Sequence, residues 1–247
     1  MRNIDHILHF RSDISPFLVH LTRTMQDGNS AKEALSSILE TKSLICGQTI
    51  VSDARFGMYT GDMSEEQKHR LFSAICFTET PLSEVHCLLE IAYRNITLEP
   101  YGLVFLKERL ASRGVAPVLY LNNETEDKDQ VFYALCSLKG NHLNEAEQLL
   151  PLIAVFGKKI KAPGASVRPQ GRVDFRWERE WRYPFVKAPF VFTAEDVFVG
   201  LCPHDCIDEF EALFNPVGFI DPTRNMKWYA TKLIQARQRL DIKFSVV

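Results

Sequence analysis

Strand-like and helix-like runs follow one another along this chain without the steady alternation that a doubly wound parallel sheet requires, and this irregular order limits the fold most. Parallel strands need a crossover helix between them. Here residues 17–22 read as a strand and 31–43 as a helix opened by Ser30 and Glu33, the serine-to-glutamate spacing of a capping box. Ser64 and Gln67 mark a second helix start, 73–78 a strand, and Thr80 with Pro81 a helix running through Ala92. Two strands, 101–105 and 115–121, flank a short amphipathic piece at 107–113 that Gly114 ends. An acidic stretch, 124–129, precedes a helix ending near Gly140, and another helix from Asn144 breaks before Pro151. Strands at 152–156, 173–185, 190–192, 197–200 and 217–220, helices at 203–214 and 221–240, and a closing strand at 242–246 complete the pattern. The class is α+β.

At 247 residues the chain is long enough to bury a full core as a single domain, with a core over about 10–200 and a C-terminal helix-and-strand extension over about 201–247. No apolar run reaches the roughly 18 residues that span a bilayer, so no membrane partner is expected. Asp5, His6, His9, Arg11 and Asp13 near the start are unlike a secretory signal, and the six scattered cysteines fit free thiols in a reducing cytoplasm. Cys202-Pro203-His204-Asp205-Cys206 has metal-binding residue types, but no second cysteine or histidine pair stands at zinc-like spacing, so no metal is expected.

Charge is distributed unevenly. Nine basic residues (Lys158, Lys159, Lys161, Arg168, Arg172, Arg176, Arg179, Arg182 and Lys187) lie against Asp174, Glu178 and Glu180 within 157–187, a net +6 segment in a chain of net -2. Such a field favours an anionic ligand. Within it, Trp177-Glu178-Arg179-Glu180-Trp181-Arg182 has a strand composition, and alternation predicts Glu178, Glu180 and Arg182 on one face. Two carboxylates on one strand face predict a site; a solvated edge strand with weak ion pairs is the other reading. Trp177 and Trp181 are expected in the core. The Pro- and Gly-bearing basic stretch 161–172 is expected to be a loop in front of that strand.

Three segments in order carry a resemblance: Val19-His20-Leu21-Thr22 followed by a helix with Ile38-Leu39, then Cys76-Phe77-Thr78-Glu79-Thr80-Pro81-Leu82, then Glu178-Arg179-Glu180-Trp181-Arg182. Together with Tyr101-Gly102 before a strand, they resemble the AbiGi family of abortive-infection (phage resistance) proteins over most of residues 10–187. More distantly, the layout is similar to DarT-type ADP-ribosyltransferases.

The resemblance implies split mixed or antiparallel sheets with flanking helices and a cytoplasmic phage-defence or toxin-antitoxin protein that uses NAD as a substrate. It implies His20 on the adenosine ribose, Thr22 supporting that strand, Thr78 steadying the cleft, and Glu180 as the carboxylate bonded to the ribose 2′-hydroxyl as nicotinamide leaves. Glu178 would orient or deprotonate the acceptor, a nucleic acid or a protein. Arg55, or the arginines of 168–182, would hold the phosphates, and Tyr101 or Tyr59 would stack on nicotinamide. The alternative within the resemblance is a non-catalytic antitoxin or partner of a cognate toxin chain. For His20 a core histidine, and for Thr78 a turn residue helping Thr80, are the competing roles.

Overall fold

The computed structural model describes residues 13–24, 28–47, 63–91, 97–122, 142–158 and 176–242, together with 124, 130, 133–134, 137–138 and 172–174. In chain order the elements are β1 (Phe17–Leu21), α1 (Ala31–Thr41), β2 (Ser43–Leu44), α2 (Glu65–Phe72), β3 (Ala74–Thr78), α3 (His86–Leu89), β4 (Gly102–Leu106), α4 (Lys107–Ser112), β5 (Ala116–Pro117), β6 (Leu119–Asn122), α5 (Leu143–Leu149), β7 (Ile153–Lys158), β8 (Arg172–Val173), β9 (Glu180–Pro184), β10 (Phe190–Val191), β11 (Val197–Leu201), α6 (Ile207–Leu213), β12 (Phe219–Ile220) and α7 (Ala230–Arg239). The class is α+β, with parallel and antiparallel pairings both present. No helix among the described residues is long and apolar enough to cross a membrane. The chain divides into two compact units: residues 1–43, 77–113 and 191–247 form the first, 44–76 and 114–190 the second.

In the first unit β1 pairs antiparallel with β4 over its full length, and Val19 pairs with Thr78 at the end of β3. The Tyr101-Gly102 sequence has its cause here: a Cβ on Gly102 would sit 2.2 Å from the His20 carbonyl oxygen, so only glycine lets β4 approach β1 so closely. β11 lies antiparallel to β4 and parallel to β12, with α6 as the crossover that the parallel pair needs. Gly200, opposite Phe219 in that pair, leaves room for the Phe219 ring, 2.0 Å from where its Cβ would be. Phe105 is the hub of the core, with Phe77 and Phe192 meeting it edge-on at 5.9 and 5.4 Å. Such tilted aromatic contacts add to the area they bury.

Helix α1 begins as the sequence predicts. Ser30 accepts from the Glu33 N–H while the Glu33 carboxylate reaches back to the Ser30 N–H, and Ala31, Leu35 and Leu39 form the buried stripe. The helix predicted from Thr80 differs. The Thr78 hydroxyl accepts from the Thr80 N–H (3.2 Å) and shares a hydrogen bond with the Thr80 hydroxyl (2.7 Å), leaving Thr80 committed to a turn. Pro81 is extended, a 3-10 turn spans Leu82–Glu84, and α3 is only His86–Leu89. The helix predicted from Asp221 likewise starts late, because the buried Asp221 carboxylate is occupied by Thr223 and by the His204 N–H. Asn225 instead caps a 3-10 turn that leads into α7.

In the second unit α2 and α5 pack over β7 through Leu71, Phe72, Ala146, Leu150 and Ile153. β6 and β7 are parallel, β8 pairs antiparallel with β7, and β5 pairs antiparallel with β9. The predicted strand 115–121 is two strands interrupted at buried Val118, whose N–H bonds the Glu180 carbonyl. Pro151 ends the helical stretch in a 3-10 turn, as its missing N–H demands. The acidic stretch 125–129, the basic loop 161–171 and the terminal strand expected beyond residue 242 lie outside the described residues.

Candidate functional site

The predicted glutamate strand is not continuous. Arg176–Glu178 form a 3-10 turn, and Arg179 is left-handed at φ 47° before β9 begins at Glu180. A non-glycine residue there costs about 1 kcal/mol and breaks the pleat, so alternation does not carry across it. Glu178 is therefore not on the face of Glu180: it is a buried residue of the turn, 6 % exposed, and the two-carboxylate strand face expected from the sequence is corrected to one carboxylate. Trp177, expected in the core, is 48 % exposed because the same turn swings it outward.

Glu180 and Arg182 do share a strand face, and they bond to each other. Arg182 Nε donates to Glu180 Oε1 at 2.9 Å and Arg182 Nη2 to Oε2 at 2.8 Å, the two-pronged geometry that a guanidinium offers a carboxylate. Its Nη1 donates to the carbonyls of Pro151 (2.8 Å) and Ile153 (3.0 Å), so the only buried arginine among the described residues is fixed at both ends. Burial, and then the Glu180 charge, push the Cys76 thiol well above its ordinary range; it stays protonated and bonds the same carboxylate. Tyr120 receives the Glu180 N–H on its phenol oxygen at 3.0 Å, and burial raises its own pKa.

This arrangement makes Glu180 an oriented, charge-paired acceptor. A carboxylate offers about four lone-pair sites, of which the guanidinium uses two and the thiol one. The Glu180 side chain remains 19 % exposed, against 4 % for Arg182, so the open remainder belongs to the glutamate. Elsewhere in the basic segment Arg176 grips Asp174 at 2.9 and 2.7 Å and lies 4.0 Å over the Phe156 ring.

The other expected residues belong to the first unit. Half-buried His20 meets the Phe77 ring at 5.6 Å. The Thr22 hydroxyl donates to Ala31 O (2.9 Å) and Tyr101 O (3.2 Å), stapling the end of β1 to the start of α1 and to the residue before β4. Thr78 holds the turn described above, the role that competes with a cleft position. The Tyr101 phenol is 3.9 Å from Cys206 Sγ and edge-on to Phe210, and burial with Cys206 pushes its pKa up to about 12. Structure thus brings Thr22 together with Tyr101, and Glu180 with Arg182. Glu178 and Glu180 are in the second unit, and Arg55 and Tyr59 lie outside the described residues.

Alternation along the strand places Arg182 beside Glu180, whereas Cys76 and Tyr120 escape sequence reasoning as the rest of its setting. The arginine had a local signal in its i, i+2 spacing; Tyr120 had none. Among the described residues no group of three or more His, Cys, Asp or Glu side chains is placed to hold a metal ion, Cys202, His204 and Cys206 included. No family model, no curated protein and no solved structure matches this chain.

Proposed function

We propose that this protein is an ADP-ribosyltransferase-like phage-defence or toxin-antitoxin protein that takes NAD as substrate and transfers ADP-ribose to a nucleic-acid or protein acceptor, with Glu180 as its stabilising carboxylate. One observation carries the reading: Glu180 is paired with Arg182 and held by it in one orientation while part of its side chain stays open. Departure of nicotinamide with the glycosidic electron pair leaves positive charge on the ribose. A fixed carboxylate that accepts a hydrogen bond from the 2′-hydroxyl stabilises that charge without reorganising at the moment of reaction. The arrangement of split sheets implied by the AbiGi and DarT resemblance is part of the same proposal.

The test is nicotinamide release and transfer of label from adenine-labelled NAD, for the natural chain and for Glu180→Gln, each shown folded by circular dichroism. Label transfer that Glu180→Gln abolishes supports the transferase; equal absence of both activities in the two proteins overturns it.

A second reading, a non-catalytic partner of a toxin, is favoured by the threonines. The hydroxyls of Thr22 and Thr78, which the resemblance places along an NAD cleft, are both engaged within the fold. Co-purification of a stable chain together with full phage protection by Glu180→Gln is the outcome that selects it.

A further inference from the structure

Within the first unit, α6, the loop Asn215–Gly218 and α7 border an open-sided hollow of about 370 Å³, inside the range of about 300–1,000 Å³ typical of small-ligand sites. Its wall is polar. Glu211, Asn215, Lys232, Gln235 and Arg239 line it, over Val217 and Ala236.

The charges in that wall do not cancel. Glu211 is satisfied twice at one oxygen, by the Lys232 ammonium and by the Phe219 N–H at 2.8 Å. Arg239 has no such counter-charge among the described residues: its Nη1 donates to Ala194 O and its Nη2 to Val197 O (2.7 Å) and Phe198 O (3.0 Å), all neutral carbonyls. Burial, and then the like charge of Arg109, hold its pKa below the usual arginine value, as expected for a guanidinium without a carboxylate beside it. The lining residues thus carry one cation in excess, and Arg239 Nε is committed to none of those carbonyls.

We propose that this hollow binds a small organic oxyanion, whose phosphate or carboxylate group neutralises Arg239 beside Lys232 and whose polar remainder bonds Asn215 and Gln235. The fixed positive charge and the uncommitted Nε–H of Arg239 suit either group, so phosphate esters and organic acids share the chemistry. The site involves none of the residues assigned to NAD and stands or falls independently of the transferase reading.

The test is an amide-resolved NMR titration of the full chain at matched ionic strength with inorganic phosphate, adenosine monophosphate and citrate. Saturable shifts confined to 215–218 and 232–239 are expected; adenosine monophosphate without citrate identifies a phosphate ester, citrate alone an organic acid. Gln235 is exposed and carries the charge test without disturbing Arg239's bonds. Both variants lose the Gln235 amide, so charge is read from the difference between them: Gln235→Glu should bind at least about tenfold more weakly than Gln235→Lys, since a carboxylate in the wall supplies the missing counter-charge. No saturable shift with any of the three, or equal affinity in the folded Gln235→Glu and Gln235→Lys proteins, overturns the proposal.

Discussion

Arg182 holds both carboxylate oxygens of Glu180, the residue two positions before it on the same strand, while its remaining terminal nitrogen bonds Pro151 and Ile153, about thirty residues away in sequence. A local pair thereby becomes a tie between β9 and the turn that starts β7. Removing the arginine strands a carboxylate and two buried carbonyls at once.

Arg182→Ala should therefore destabilise the chain by about 3 kcal/mol or more, the cost of leaving one member of a buried pair alone. Arg182→Lys should recover part of that loss, because an ammonium keeps the charge but lacks the planar fork. Urea unfolding midpoints for the three proteins provide the check; equal midpoints would show that the tie contributes nothing.

Two glycines should respond differently to a methyl group. Gly200→Ala collides with the Phe219 ring, whereas Gly102→Ala collides with the His20 backbone. Overpacking costs typically about 1–3 kcal/mol. Trimming the ring in Gly200→Ala/Phe219→Leu should restore much of that cost, while no side-chain trimming should rescue Gly102→Ala. Additive losses in the double variant would contradict the contact.

What could be read from the sequence follows the range over which each cause acts. The capping boxes at Ser30 and Ser64 were legible because both partners lie within four residues, and the strand end at Thr78 because an apolar run stops there. Glu178 was misplaced because alternation assumes an unbroken pleat, and nothing in arginine announces the left-handed conformation of Arg179. The late start of α7 has a similar cause: Asp221 has the residue type of a helix opener, yet its carboxylate serves a turn and His204, 17 positions earlier. The candidate site was legible as a residue, Glu180, but not as an environment, since Tyr120 and the Pro151 carbonyl reach it only through folding.

Thiol chemistry should separate the cysteines. Burial pushes Cys46 up to about 11 and Cys202 up to about 12, so at neutral pH both are thiols, whereas Cys87 is exposed with His86 Nε2 at 3.5 Å. The thiolate is the nucleophile, and its fraction falls about tenfold for each unit by which pKa exceeds pH. Brief alkylation with iodoacetamide at neutral pH, followed by peptide mass spectrometry, should mark Cys87 well before Cys46 or Cys202. Faster labelling of Cys202 in the folded protein would show that its burial is misjudged.

Tyr101 gives a stability prediction at alkaline pH. Its folded pKa, about 12, lies above the ordinary phenol value of about 10, because burial and the neighbouring Cys206 disfavour the phenolate. Between those two values the folded state binds more protons than the unfolded one, and stability falls as pH rises whenever the native form holds the extra proton. The contribution is thus complete below about pH 10 and disappears as pH rises towards about 12. Tyr101→Phe has no proton to lose there and should show a shallower decline in its denaturant midpoint across that window. Near-ultraviolet phenolate absorbance supplies the direct comparison: the step absent from the variant should be one that appears late in the natural chain. A missing step near pH 10 instead would place the Tyr101 phenol in open solvent, and with it would fall the contact with Cys206 that ties the residue before β4 to the turn after β11.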